Sequence, residues 1–250
     1  MFLLFTCVSC VHGCRARKAR KTDAADAPDL SPKMEPRAAP GLEMAGGYLE
    51  EPPLAPAGKT LEPQPRPRVR WWMPRVRHLA DKVRAMTQAE WLFVGDSITE
   101  NWLEAGEETW RKHFAARSIN VGVAGDRTEN ILWRLHHGHL PENCGSIRWV
   151  VVLAGTNNLS DKDTPAEVAR GIGGIMNLLL ERCPAARILL MGIFPRSGER
   201  LAAAAREVNS RISRLHDGQR IFYIDMGTSF LRTDGSVDRR LLPDGLHLSP

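Results

Sequence analysis

Cysteine is scarce in this sequence: Cys7, Cys10 and Cys14 crowd the N-terminus, and only Cys144 and Cys183 fall in the body. Five cysteines are too few for a small fold stapled by disulfides. Cys7 and Cys10 are spaced as a CxxC, but they stand in an apolar leader with no second pair downstream, which argues against a metal or redox centre. Long apolar runs are missing as well. Met1 to Gly13 is uncharged and mostly apolar, yet thirteen residues cannot cross a bilayer as a helix. There is no internal repeat, and neither HExxH, a Walker loop nor GxSxG occurs. His136, His137 and His139 cluster without a carboxylate or cysteine to complete a ligand set, so they read as a polar loop. Gly171-Ile-Gly-Gly174 lies within a helical stretch and follows no strand, so it reads as a close-packing stripe rather than a nucleotide loop. The sequence calls for no metal and no cofactor.

A basic body is lacking too. The net charge is +5, but residues 1–86 carry 15 Lys/Arg against 9 Asp/Glu, while residues 87–250 carry 19 against 20. The excess belongs to the N-terminal part, and the body offers no footprint for nucleic acid.

What is present divides the chain into three parts. Residues 1–14 form the apolar leader, followed by the basic run Arg15 to Lys21. The leader is open to three readings: a signal peptide without the usual preceding charges, a palmitoylated anchor beside the basic run that brings membrane contact, or an uninformative extension. The compartment stays open with it, cytoplasmic in one case, secreted or membrane-attached if residues 1–21 act. Residues 15–68 read as a disordered Pro/Ala-rich linker, since eleven of seventeen prolines lie between Pro28 and Pro74. Residues 69–250 read as one domain, with Trp71 and Trp72 marking its start.

Within that domain short apolar runs alternate with helical stretches. The runs are Trp91–Val94, Ile119–Val123, Trp149–Leu153, Ile188–Met191 and Ile221–Ile224, and they show no clean polar alternation, as strands buried on both faces should. Helices are predicted near 102–115, 127–137, 165–182 and 199–216, the third with Thr164 as cap and Pro165 at its first position. Five strands alternating with helices predict a parallel sheet in a three-layer α/β/α domain. Ligands bind such sheets at the carboxyl ends of the strands. The polar residues there, Asp96, Ser97, Gly125, Asp126, Asn157 and Asn158, should therefore converge.

Gly95-Asp96-Ser97 sets a serine at a sharp turn after a buried strand, a place for a nucleophile or simply for a helix cap. Pro243-Asp244-Gly245-Leu246-His247 offers an aspartate able to orient an imidazole, or a plain surface turn, or both at once. Gly125 can present an unobstructed backbone N–H and Asn157 a side-chain amide to an oxyanion, though an asparagine closing its own turn is the bland alternative. Asn158-Leu-Ser160 is a formal glycosylation sequon whose place beside Asn157 argues against modification.

The blocks GDSIT, VGVAGD, GTNN and DGLH stand in the order and approximate spacing of the SGNH (GDSL-like) hydrolases, which the chain resembles over roughly residues 70–250. Within that superfamily it is most similar to the platelet-activating-factor acetylhydrolase-like esterases, through Trp102, Arg127-Thr128, Ile131-Leu-Trp-Arg-Leu135 and Ile193-Phe-Pro-Arg196 as well. The resemblance implies a flavodoxin-like fold and a cofactor-free serine esterase acting on a small-molecule ester. Ser97 would be nucleophile, Asp244 and His247 its relay, and Ser97 N–H, Gly125 and Asn157 the oxyanion donors. It also implies a short acyl group such as acetyl, with homodimers common among relatives. Two other readings stand beside it: an O-acetyl esterase or acyltransferase on polysaccharide, and a catalytically silent partner module. Ala124 replaces a glycine frequent in relatives, and Ser197–Ala204 is shorter than their corresponding loop. The sequence stops three residues after His247, where relatives continue into a helix that packs on the sheet.

Overall fold

A computed structural model describes residues 59–250; the leader and residues 15–58 of the linker lie outside the described residues. The elements run α1 (Trp72–Ala85), β1 (Trp91–Gly95), α2 (Ser97–Glu100), α3 (Glu107–His113), β2 (Ser118–Asn120), α4 (Thr128–His136), β3 (Trp149–Leu153), α5 (Thr156–Ser160), α6 (Pro165–Arg182), β4 (Arg187–Met191), α7 (Glu199–Ile212) and β5 (Ile221–Ile224). The five strands pair in the order β2-β1-β3-β4-β5, all parallel. This is the predicted α/β fold with its five-stranded parallel sheet.

Alternation along each strand explains the two packed faces. Leu92, Val94, Val150, Val152, Ile188 and Leu190 point to one side, against Ile131 and Leu135 of α4, Ile172, Ile175 and Leu179 of α6, and Val208 and Ile212 of α7. On the other side Phe93 meets Trp110 and Phe114 edge-on, at centroid distances of 5.0 and 5.2 Å. Trp149 continues that face between Trp91 and Phe222. Helix α6 starts where its sequence says it should. Thr164 and Glu167 cap each other's backbone N–H groups, and Pro165 takes the first helical position. It ends at Cys183, directly before Pro184, which disfavours helical backbone. Cys183 forms a disulfide with Cys144, 39 residues earlier, joining the turn before β3 to the turn before β4.

Three features differ from the sequence reading. Helix α1 was not anticipated; it buries Trp72, Val76, Leu79, Ala80 and Val83 in a stripe at helical spacing, partly in a small second core with Val123. Strand β2 is three residues long, although Val121 and Val123 still donate to Phe93 O and Gly95 O. Finally, residues 59–68, assigned by composition to the disordered linker, are ordered against the domain. Thr60 Oγ1 donates to Glu167 O and Thr60 O accepts from Thr128, while Gln64 exchanges bonds with Glu129 O and the Asn130 amide. The glycines of α6 leave room for this strap: a methyl at Gly171 would lie 2.9 Å from Thr60 O. Composition measures what a segment can bury by itself, and this one is held by groups on α4 and at the start of α6, far along the chain.

Candidate active site

Strand β1 ends at Gly95 on the carboxyl-terminal side of the sheet, and the chain turns there into α2. Asp96 is the cap of that helix, its Oδ1 accepting from Ile98 N at 3.0 Å. The capping role open to Ser97 is therefore taken by its neighbour. The Ser97 hydroxyl instead lies 2.8 Å from His247 Nε2, across 150 residues of sequence.

His247 is carried by the last loop. Asp244 Oδ2 faces its Nδ1 at 2.6 Å, and Asp244 Oδ1 accepts the backbone N–H groups of Leu246 and His247 at 2.9 and 2.7 Å. Both readings of this segment thus hold together, since the turn presents the imidazole. Partial burial pushes the Asp244 carboxyl up, but the bonds from His247 and Leu246 outweigh it and bring the group down to about 2. A carboxylate on Nδ1–H leaves Nε2 free to accept from the serine.

Two predicted residues remain, Gly125 and Asn157. Gly125 has φ of +72°, a left-handed turn that favours glycine. Asn157, second residue of α5, donates through Nδ2 to Asp126 O at 2.8 Å, which leaves its other amide N–H uncommitted. Asp126 is the hub beneath them. Its buried carboxylate accepts from Arg66, from Trp72 Nε1 at 2.6 Å and from Arg134 Nε at 2.5 Å. Arg134, fully buried, also donates to Val121 O and Gly95 O, tying the ends of β1 and β2 to this turn. Asn158, expected to converge on the cleft, does not. It is buried against α4, accepting from Thr128 N and donating to Glu129 and Asp163.

Several groups near the site had no individual chemical role assigned from sequence. Asp96 is buried, and its Oδ2 has no hydrogen-bond partner. Loss of hydration pushes its carboxyl up to about 7, helped by Asp126 and opposed by the Ile98 N–H, His247 and Arg196. Arg196 bonds Thr156 Oγ1 at 2.6 Å, bracing the turn that holds Asn157. The short connection Ser197–Gly198 enters α7 at once, and Arg196, Ser197, Leu231, Val237 and Arg239 line part of a cavity of about 590 Å³ there. Arg239 spans Ser197 Oγ and Pro243 O there. His139, read as part of a polar loop, is buried instead, held between Arg134 and Val76 O. Burial and the Arg134 charge push it down to about 3. Among the described residues no group of three or more His, Cys, Asp and Glu is arranged to hold a metal, and no helix is long and apolar enough to cross a membrane.

Fold and sequence comparisons together define a hydrolase acting on ester bonds, built around a parallel sheet packed between helices. The chain belongs to the GDSL-like lipase/acylhydrolase family, whose model matches residues 93–250. The human platelet-activating factor acetylhydrolase IB subunit alpha1 is 34% identical over 184 residues, covering 72% of this chain and 76% of the relative. The rat alpha2 subunit is 35% identical over 164 residues, or 63% and 68%. A GDSL-like lipase from Bacteroides thetaiotaomicron shares the fold, with a TM-score of 0.58 over 70% of this chain and 89% of that one at 18% identity.

Proposed function

We propose that this chain is a serine esterase that cleaves short-chain, chiefly acetyl, carboxylic esters through an acyl-enzyme. The observation that carries the reading is the 2.8 Å approach of Ser97 Oγ to His247 Nε2, with Asp244 behind the imidazole. A serine hydroxyl is a weak nucleophile until an adjacent base takes its proton. His247 removes that proton as Oγ attacks the ester carbonyl, and Asp244 holds the ring and balances the imidazolium. The N–H groups of Ser97 and Gly125 and the free amide N–H of Asn157 receive the oxyanion. His247 then gives its proton to the departing alcohol. Water, activated by the same imidazole, clears the acyl group and restores Ser97. The acetyl preference is supported by the names of the platelet-activating factor acetylhydrolase relatives.

The test is turnover of p-nitrophenyl acetate by the protein and by Ser97→Ala, together with fluorophosphonate labelling. We expect labelling at Ser97 and a loss of several orders of magnitude in the variant. Equal rates, or a folded protein that does not label, would remove the serine from the chemistry. Acetylated sugars against short-chain acetyl phospholipids then identify the alcohol.

A further inference from the structure

The turn Ala124-Gly125-Asp126 must hold one oxyanion donor itself and, through Asp126 O, the other. The Asn157 amide is oriented by its bond to that carbonyl. Whatever fixes this turn therefore fixes both donors. Glu100 takes Ala124 N at 2.6 Å from one side. On the other side lies Arg66, from the strap that precedes α1 and the family-matched residues 93–250. Its Nη1 donates to Ala124 O at 2.7 Å and to Asp126 Oδ1 at 3.1 Å, so one guanidinium grips the residue before Gly125 and the residue after it. The same group lies against the Gly125 α-carbon: a Cβ there would stand 3.1 Å from Nη2. Arg66 is in turn braced by the Trp71 ring, 5.8 Å from its guanidinium carbon, and by the backbone bonds of Gln64. A fixed cation beside a turn that receives negative charge also favours the charged intermediate over the neutral ester.

We propose that Arg66 is a positioning residue for the oxyanion site, supplied by the strap rather than by the family core, and that it holds the Gly125 and Asn157 donors in register. This rests on the esterase reading above. Misplacement of such donors by about 1 Å costs rate on the order of 10²-fold without weakening ground-state binding. In the full chain, Arg66→Ala is expected to lower kcat for p-nitrophenyl acetate at least tenfold with KM within twofold. It should also slow fluorophosphonate labelling of Ser97 in proportion, because phosphonylation uses the same donors. Arg66→Lys, which keeps the charge and a donor to Ala124 O, should recover part of both rates. Circular dichroism and thermal melting identify the variants that fold. If Arg66→Ala does not, Arg66→Gln is measured in its place. A folded Ala or Gln variant whose kcat stays within twofold of the parent, or one that changes KM alone, overturns the proposal. If Ser97→Ala is silent while the Arg66 variants are unchanged, only this inference falls; if Ser97→Ala is as active as the parent, the esterase reading falls with it.

Discussion

Asp244 holds His247 twice, through the backbone N–H at 2.7 Å and through ring Nδ1 at 2.6 Å. One carboxylate thus sets both where the loop places the imidazole and which nitrogen carries the proton. Replacing it by an amide spares the shape and inverts the polarity of one oxygen. Asp244→Asn is expected to lower kcat for p-nitrophenyl acetate by on the order of 10²–10⁴ with a near-parental melting temperature. A loss below threefold would separate Asp244 from catalysis.

The buried carboxyl of Asp96 makes a pH prediction. Its folded value, about 7, stands above the ordinary 3.8, so its contribution to stability is fully present below pH 3.8 and is lost as pH rises through 7. Asp126, His247 and Arg196 are the charges that act on it. Asp96→Asn keeps the acceptor for Ile98 N and cannot ionise. Its melting temperature relative to the parent should therefore be higher at pH 8 than at pH 5. An offset that is the same at both values would show that Asp96 does not titrate in this window.

Asn157 tests the oxyanion arrangement independently of the proton relay. Asn157→Ala is expected to reduce kcat by about 10²–10³, with KM little changed, since the amide acts on charge that exists only after attack. A change in KM without a change in kcat would assign the amide to substrate binding instead.

Stability should depend sharply on Arg134. Its side chain and the Asp126 carboxylate are both fully buried, and it also serves Val121 O, Gly95 O and His139. Removing one partner of such a pair typically costs about 3–5 kcal/mol; here Arg66 and Trp72 Nε1 still reach Asp126 Oδ1, while Oδ2 and the two carbonyls lose Arg134. For a domain of this size Arg134→Met should lower the melting temperature by about 10 °C. A shift under about 2 °C would show that the site relaxes or admits water.

Much of this site was legible because it is written in short local strings. Gly95-Asp96-Ser97 and Asp244 to His247 each combine a turn with a reactive side chain, and the parallel-sheet topology says that strand ends must meet. What could not be read is what depends on distant partners. Arg66 sits in a proline-rich string whose order comes from Thr128, Glu129 and Asn130, so nothing nearby announces it. Asn157 and Asn158 are identical in type and adjacent, yet one reaches Asp126 O at the cleft and the other is consumed by α4. Only the direction of a single helical turn separates them. Helix α1 was obscured by Pro74, tolerable because it falls in the first turn, where N–H groups have no helical partner.

The bond between Cys144 and Cys183 closes a 39-residue loop at the amino-terminal ends of β3 and β4, whereas Ser97 and Asn157 stand beyond the carboxyl-terminal ends of β1 and β3. The covalent tie and the proposed catalytic groups thereby stand at opposite ends of the strands. A reducing buffer should make the protein easier to unfold by roughly 2–4 kcal/mol while its initial velocity at room temperature stays the same.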